Sequence, residues 1–465
     1  MKKQFLLTPL AIGAAISILS SCGNKGKEAN DNKSTMSPNN PFAKASTLQY
    51  QTADFASIHD SDFKPAIEEG IHQQLAEIKA IAENTDAPTF ENTLVAMEKS
   101  GTLLRRVNNV FSLLNGANTN PTLDKVSEEI APDLAAANDA IFLNTKLFKR
   151  VEAIYNQREQ LKLDPESKRL VEYYYQKFTL SGANLSDSAK VTLKKLNGED
   201  ASLEAKFTNQ LRSAAKAGAV LISDKAELDG LSDAEITAAA TAAKDAKQDG
   251  KYLLKLQNTT QQPLLQELKV RATRQKLYEA SINRAEKGDS NDTRAIISRL
   301  AMIRAEKAKL IGFPNYAALT LMDQMAKNPE NVEKFFAQLV PASTAKAKAE
   351  AADIQKLIDS QKGGFQLEAY DWNFYSEQVR KAKFDLDENQ VKPYFELDSV
   401  LKNGIFYAAN QLYGLTFKER HDLPVYQKDV RVFDVFDKDG SQLGLFYCDY
   451  FKRDNKQGGA WMDNM

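Results

Sequence analysis

Apolar residues recur at spacings of three and four from about residue 62 to 361, and this restricts the chain to a mostly helical fold. Ile67, Ile71, Leu75, Ile78 and Ala82 mark the first such face. Pro88-Thr89 opens a second helix with Thr89 as its N-cap. Leu94, Met97, Leu104, Val107, Phe111 and Leu114 carry its face across Gly101, and Asn120-Pro121 ends it. The pattern predicts further helices over 123–134, 140–161, 165–181, 186–217, 261–284, 292–310, 316–325 and 329–361. Two short apolar runs, 219–222 and 252–256, read as strands pairing into a ribbon around a helix capped near Ser232. Beyond Gly363-Gly364 the pattern predicts helices over 371–385 and 394–412. Strands at 430–436 and 443–450 follow, joined by the turn Asp437-Lys438-Asp439-Gly440. No repeat of fixed period occurs.

The amino terminus has a different character. Lys2 and Lys3 precede an apolar run from 5 to 19, too short to span a membrane and typical of a secretory signal. Leu19-Ser20-Ser21-Cys22 follows and resembles the lipobox of bacterial lipoproteins, which are cut before the cysteine and lipidated on its sulfur. Residues 1–21 are therefore expected to be a signal peptide. Residues 22–42, rich in Gly, Asn, Lys, Ser and Pro, are expected to be a flexible tether behind a lipidated Cys22. Each buried acyl CH₂ contributes about 0.8 kcal/mol to membrane binding. The expected location is the bacterial cell envelope, lipid-anchored and facing the periplasm. With Cys22 lipidated, Cys448, the second of two cysteines, has no internal disulfide partner. It alternates with Phe446 and Tyr450 and reads as a buried structural thiol.

Lys and Arg number 61 against 62 Asp and Glu, so charge makes no case for a nucleic-acid partner. The three histidines, His59, His72 and His421, are scattered, and no His-Glu-x-x-His occurs. There is no Gly-x-Ser-x-Gly elbow and no phosphate loop. The acidic turn at 437–440 lacks the ligand spacing of a calcium loop. Residues 445–465 read as a strand, a charged turn and the opening of another strand at Ala460-Trp461-Met462. A strand left unpaired there is expected to belong to a longer chain.

Several short motifs, in order, resemble one family. They are Gln257-Asn258-Thr259-Thr260-Gln261-Gln262-Pro263, Ala280-Ser281 with Arg284, and Arg304-Ala305-Glu306-Lys307-Ala308 with Leu310. Gly312-Phe313, Asn315-Tyr316-Ala317, Asp371-Trp372 with Tyr375, and Lys392-Pro393-Tyr394-Phe395 continue the series. It closes on Gly458-Gly459-Ala460-Trp461-Met462. From about residue 40 to 465 the chain is similar to the thimet oligopeptidase family of zinc metallopeptidases, on its bacterial peptidyl-dipeptidase branch.

The resemblance implies a mainly helical, bilobed fold with a deep channel and a small sheet on the channel wall. It implies one zinc held by the histidines of His-Glu-x-x-His and a distal Glu, with the motif Glu as general base on the zinc-bound water. The substrates would be short peptides that lose C-terminal dipeptides. The family's metal motif lies downstream of Gly-Gly-Ala-Trp-Met, so no catalytic or metal-ligating residue is carried onto this chain. On this reading 43–256 is an N-terminal helical region, and 257–465 is the start of a catalytic domain that stops before the zinc-binding helices. Zinc belongs to the full-length family member. These 465 residues alone are expected to bind none and to be inactive. Gly459 and Ala460 become candidates for contact with substrate main chain, because small residues suit close backbone approach; a plain turn is the other reading. A monomer is expected. The other function weighed is a non-catalytic helical lipoprotein that binds peptides or a protein partner.

Overall fold

A computed structural model describes residues 36–385 and 388–465. The expected signal segment, Cys22 and most of the expected tether lie outside the described residues. The fold is mainly helical, as the periodicity predicts.

Helix α1 (Asp60–Glu83) starts where Asp62 accepts the His59 amide at 2.8 Å. Its buried face is Phe63, Ala66, Ile67, Gly70, Ile78 and Ala82. Gly70 has a packing reason: a Cβ there would stand 2.8 Å from the Leu104 Cα. Thr89 caps the next segment, a π-helical stretch over Phe90–Val95 that leads into α2 (Ala96–Lys99). The predicted continuation across Gly101 does not occur. Gly101 sits at φ 69°, a left-handed conformation that ends one helix and opens α3 (Thr102–Ala117). The predicted helices 123–134 and 140–161 are also redrawn. Helix α4 (Pro121–Phe142) runs through Pro132, and α5 (Thr145–Gln157) starts where Asn144 caps the Leu147 amide at 3.0 Å. Helices α6 (Pro165–Ser181) and α7 (Asp187–Ala217) follow, capped by Asp164 and Ser186.

These helices enclose two apolar cores. Phe63, Val107, Phe111, Leu123 and Ile130 meet in one; Leu94, Phe142, Leu147, Val151 and Phe178 meet in the other. Both α1 and α4 contribute to each core, so the two bodies are held on shared helices.

Strands β1 (Val220–Ile222) and β2 (Tyr252–Leu254) pair antiparallel, Val220 opposite Leu254, around α8 (Asp233–Asp245). The predicted helix 261–284 is two helices, α9 (Asn258–Glu267) and α10 (Arg271–Ile282). Arg274 explains the break: its Nη1 donates to the carbonyls of Leu268 at 2.8 Å and Lys269 at 3.0 Å, satisfying groups a continuous helix would use. Helix α11 (Arg294–Ile311) packs on α7, and α12 (Tyr316–Leu321) is shorter than predicted. Helix α13 (Pro329–Ser360) meets α14 (Trp372–Phe384) around Ile354, Ile358 and Tyr375. Short α15 (Glu388–Val391) and α16 (Leu397–Ser399) lead through a π-helical stretch, Val400–Phe406, into α17 (Tyr407–Tyr413).

The last element is a three-stranded antiparallel sheet, β3 (Thr416–Arg420), β4 (Arg431–Phe436) and β5 (Gln442–Cys448), with β4 central. The predicted hairpin across 437–440 is present; β3 was not predicted. The strand expected at Ala460-Trp461-Met462 does not form. The backbone ahead of it bonds to the end of α3 instead, and Gly459, at φ 95°, leaves the extended region.

Candidate functional site

After β5 the chain turns back across the end of α3. Arg453 Nη2 donates to the Ala117 carbonyl at 2.8 Å, and Asn455 Nδ2 to that of Thr119 at 2.9 Å. The Gln457 amide reaches the Gly116 carbonyl at 2.8 Å, and the Thr119 amide returns to that of Asn455 at 3.1 Å. The terminal carbonyls of a helix need such partners, which makes the end of α3 a fixed seat for this segment.

Asp449 organises the turn. Its carboxylate accepts from Arg453 at 2.6 and 2.9 Å and from the Tyr426 hydroxyl at 2.9 Å, and it pairs with Lys456 at 3.0 Å. Burial alone would raise its pKa, but the bonds from Arg453, Lys456 and Tyr426 outweigh that and hold it below the usual carboxylate range. Burial and the neighbouring carboxylate push the Tyr426 phenol up.

This segment forms one wall of a cavity of about 770 Å³. Lys452, Asp454, Lys456, Gln457 and Gly458 line it on that side. Arg212 and Lys216 of α7, Asp245 of α8, Lys255 and Gln257 after the ribbon, Ser281 of α10 and Arg284 just beyond it line the other sides. Cations therefore outnumber carboxylates on its surface. Three of them are committed: Lys255 to Asp454 at 2.8 Å, Lys456 to Asp449, and Arg212 to Asp124 at 2.5 Å. Lys452 donates its ammonium to the backbone carbonyls of Arg453 and Lys456. Burial lowers its pKa; Asp454 opposes this, and Lys456, Arg212 and Arg453 add to it.

Gly459 and Ala460 are exposed and follow directly on Gly458, which lines the cavity. Nothing stands within 4 Å of where a Gly459 Cβ would be, so the positive φ, not crowding within the chain, accounts for glycine there. Cys448 is buried with Leu401 and Phe433, and burial pushes its thiol up, which suits a structural thiol rather than a nucleophile. His72 is exposed beside Glu69. Sequence reasoning missed Asp449, Lys452 and Lys456. The density of charge immediately after an apolar strand, in 449–456, was the available signal.

Residues 264–465 match the model of peptidase family M3. Over 429 residues the chain is 51% identical to the dipeptidyl carboxypeptidase of Escherichia coli K12, covering 92% of this chain and 63% of that protein. The dipeptidyl carboxypeptidase of Salmonella typhimurium is 48% identical over 425 residues, 91% of this chain and 62% of that protein. Oligopeptidase A of Escherichia coli is 27% identical over 419 residues, 89% and 61%. Residues 264–465 are the part of the chain that carries the peptidase family M3 domain. The resemblance to the thimet oligopeptidase family, on its peptidyl-dipeptidase branch, holds. The chain spans less than two thirds of the length of these M3 relatives.

M3 metallopeptidases are zinc-dependent. Among the described residues no three His, Cys, Asp or Glu side chains are grouped as a metal site. His59 sits at the start of α1 and His421 just beyond β3, each without a second imidazole in its own element. The described residues do not fit a zinc centre.

Proposed function

We propose that this protein is a zinc-dependent peptidyl-dipeptidase of short peptides, and that residues 36–465 supply substrate-facing walls rather than metal ligands. The carrying observation is the gap in identity: 51% to a dipeptidyl carboxypeptidase against 27% to an oligopeptidase A over nearly the same span. In this reading zinc is held by the family's His-Glu-x-x-His, which does not occur among these 465 residues, and these residues alone are inactive. In this reading Gly459 and Ala460 present free backbone to an extended peptide, beside a cavity large enough for two residues. The enzyme acts as a monomer, tethered to the cell envelope through a lipid on Cys22 and facing the periplasm.

The test uses the protein as its gene encodes it, with blocked tetrapeptides as substrate. The expected result is release of intact C-terminal dipeptides, abolished by chelation and restored by zinc. Release of single amino acids, or cleavage indifferent to chelator, would overturn the reading. Cys22→Ser is expected to move the protein from the membrane fraction to the soluble fraction; retention in the membrane would remove the lipid anchor from the proposal.

A further inference from the structure

A second cavity, of about 330 Å³, lies in the N-terminal helical region where α1, α2, α3, α4 and α6 meet. Its volume is that of a small-ligand pocket. It shares no lining residue with the cavity beside Gly458. Both apolar cores contribute to its walls. Leu104 and Leu134 pack against the first, while Ile78, Met97, Ile141 and Phe142 belong to the second.

Three charged side chains line this cavity, and none closes on another among the described residues. Glu98 of α2 accepts the Tyr174 hydroxyl through Oε1 at 2.6 Å. Burial and the bond to Glu98 push the Tyr174 phenol up, so the hydroxyl keeps its proton and stays the donor. Lys177 of α6 stands 4.4 Å over the Phe142 ring and 5.6 Å from that of Tyr173. Such a contact holds an ammonium in place without neutralising it. Arg105 of α3 donates to the Glu98 carbonyl at 3.4 Å. Neither cation has a carboxylate partner among the described residues. Each of the three charges is thus fixed by a neutral group.

Charges of both signs held around an apolar floor match a molecule that carries both signs and an apolar body. A carboxylate would meet Lys177 and the fork of Arg105. An ammonium would meet Glu98 Oε2, which no hydrogen bond engages among the described residues. Ile78, Met97 and Ile141, all buried, would receive an apolar side chain. We infer that this cavity binds a small zwitterion with an apolar side chain, either a free amino acid or a dipeptide. The occupant bridges α2, α3 and α6 and ties the two cores together. This goes beyond the peptidyl-dipeptidase reading and does not depend on it.

The experiment is calorimetry on the intact protein with L-leucine and with L-alanyl-L-leucine. Each is compared with its C-terminal amide, which lacks the carboxylate, and with its N-acetyl derivative, which lacks the ammonium. The zwitterion is expected to bind at least about tenfold more tightly than either derivative, and the tighter zwitterion identifies the source. Lys177→Gln and Arg105→Gln each weaken the zwitterion about fivefold or more and leave the amide as in the wild type. Glu98→Gln weakens the zwitterion to a similar extent and leaves the N-acetyl derivative unchanged. Loss of structure does not produce this crossed pattern. Affinity that all three variants leave unchanged would place the zwitterion elsewhere and overturn the assignment. A wild type that binds neither zwitterion, or binds the derivatives equally well, would overturn it too. No outcome depends on peptide cleavage, so failure here leaves the peptidyl-dipeptidase reading standing.

Discussion

Helices α7 and α13 have almost the same length, 31 and 32 residues, and opposite surroundings. α7 lies along α4 and α11 and buries Leu193, Leu196 and Ala214. α13 buries only Ile354 and Ile358, near its carboxyl end. Upstream, Phe335, Phe336, Leu339 and Val340 stand about half exposed, at 58, 52, 48 and 51%. Both helices carry an apolar stripe. Periodicity thus shows that a face asks for burial, but not what covers it. The same contrast separates the two broad cores of α1–α6 from the small clusters that hold α13, α14 and the sheet.

The join between α10 and α14 is where that contrast breaks most readily. Asp371 is fully buried and accepts from Arg271 at 2.9 Å and from Arg274, itself 1% exposed, at 2.9 Å. The guanidinium of Arg274 also stacks 4.3 Å over Phe374. Asp371→Ala leaves the Arg274 charge buried without its counterion, and a loss of about 3–5 kcal/mol is expected. Chemical denaturation measures it; a loss under 1 kcal/mol would mean the cluster does not hold the two helices.

The next comparison is between losing a fully packed side chain and losing a half-exposed one. Leu147→Ala, in the fully packed second core, is expected to cost about 2–5 kcal/mol through lost burial and a residual cavity. Phe336→Ser on α13 is expected to change stability by no more than about 0.5 kcal/mol, because the ring is already half in water. Equal costs at the two sites would show that the α13 face is covered in solution.

The caps explain how much of this was readable. α6 and α7 follow their predicted limits because Asp164 and Ser186 bond amides two or three residues away. Local chemistry of that kind is written into the sequence. The break between α9 and α10 is not, since Arg274 makes it and is itself set by Asp371, 97 residues on. Strand β3 is polar and takes its form from β4, through Arg431 on Glu419 at 2.7 Å and Arg420 on Asp434 at 2.9 Å. The cationic cavity is less readable still. Arg212, Arg284 and Lys452 come from three distant segments, and only the resemblance drew notice to Arg284 and to the neighbouring Gly459 and Ala460.

A more local effect is expected at the seat of 449–457 on α3, where the two regions meet through hydrogen bonds. Asp449 titrates lower in the folded protein than in the unfolded chain, whose carboxylates titrate near about 3.9. Its contribution is therefore complete above that value and is lost as pH falls through the lower folded value. Protection of the Gln457 amide, which bonds the Gly116 carbonyl, is expected to be constant from pH 7 to 5 and to fall below pH 4. Asp449→Asn should lower that protection by about tenfold at pH 7, since the amide cannot replace charged bonds to Arg453 and Lys456. The same variant should lose the acid-dependent step while the fully buried Leu147 region keeps its own protection. Identical acid profiles for wild type and variant would show that the segment is held by its backbone bonds to α3 alone, and that Asp449 only decorates the turn.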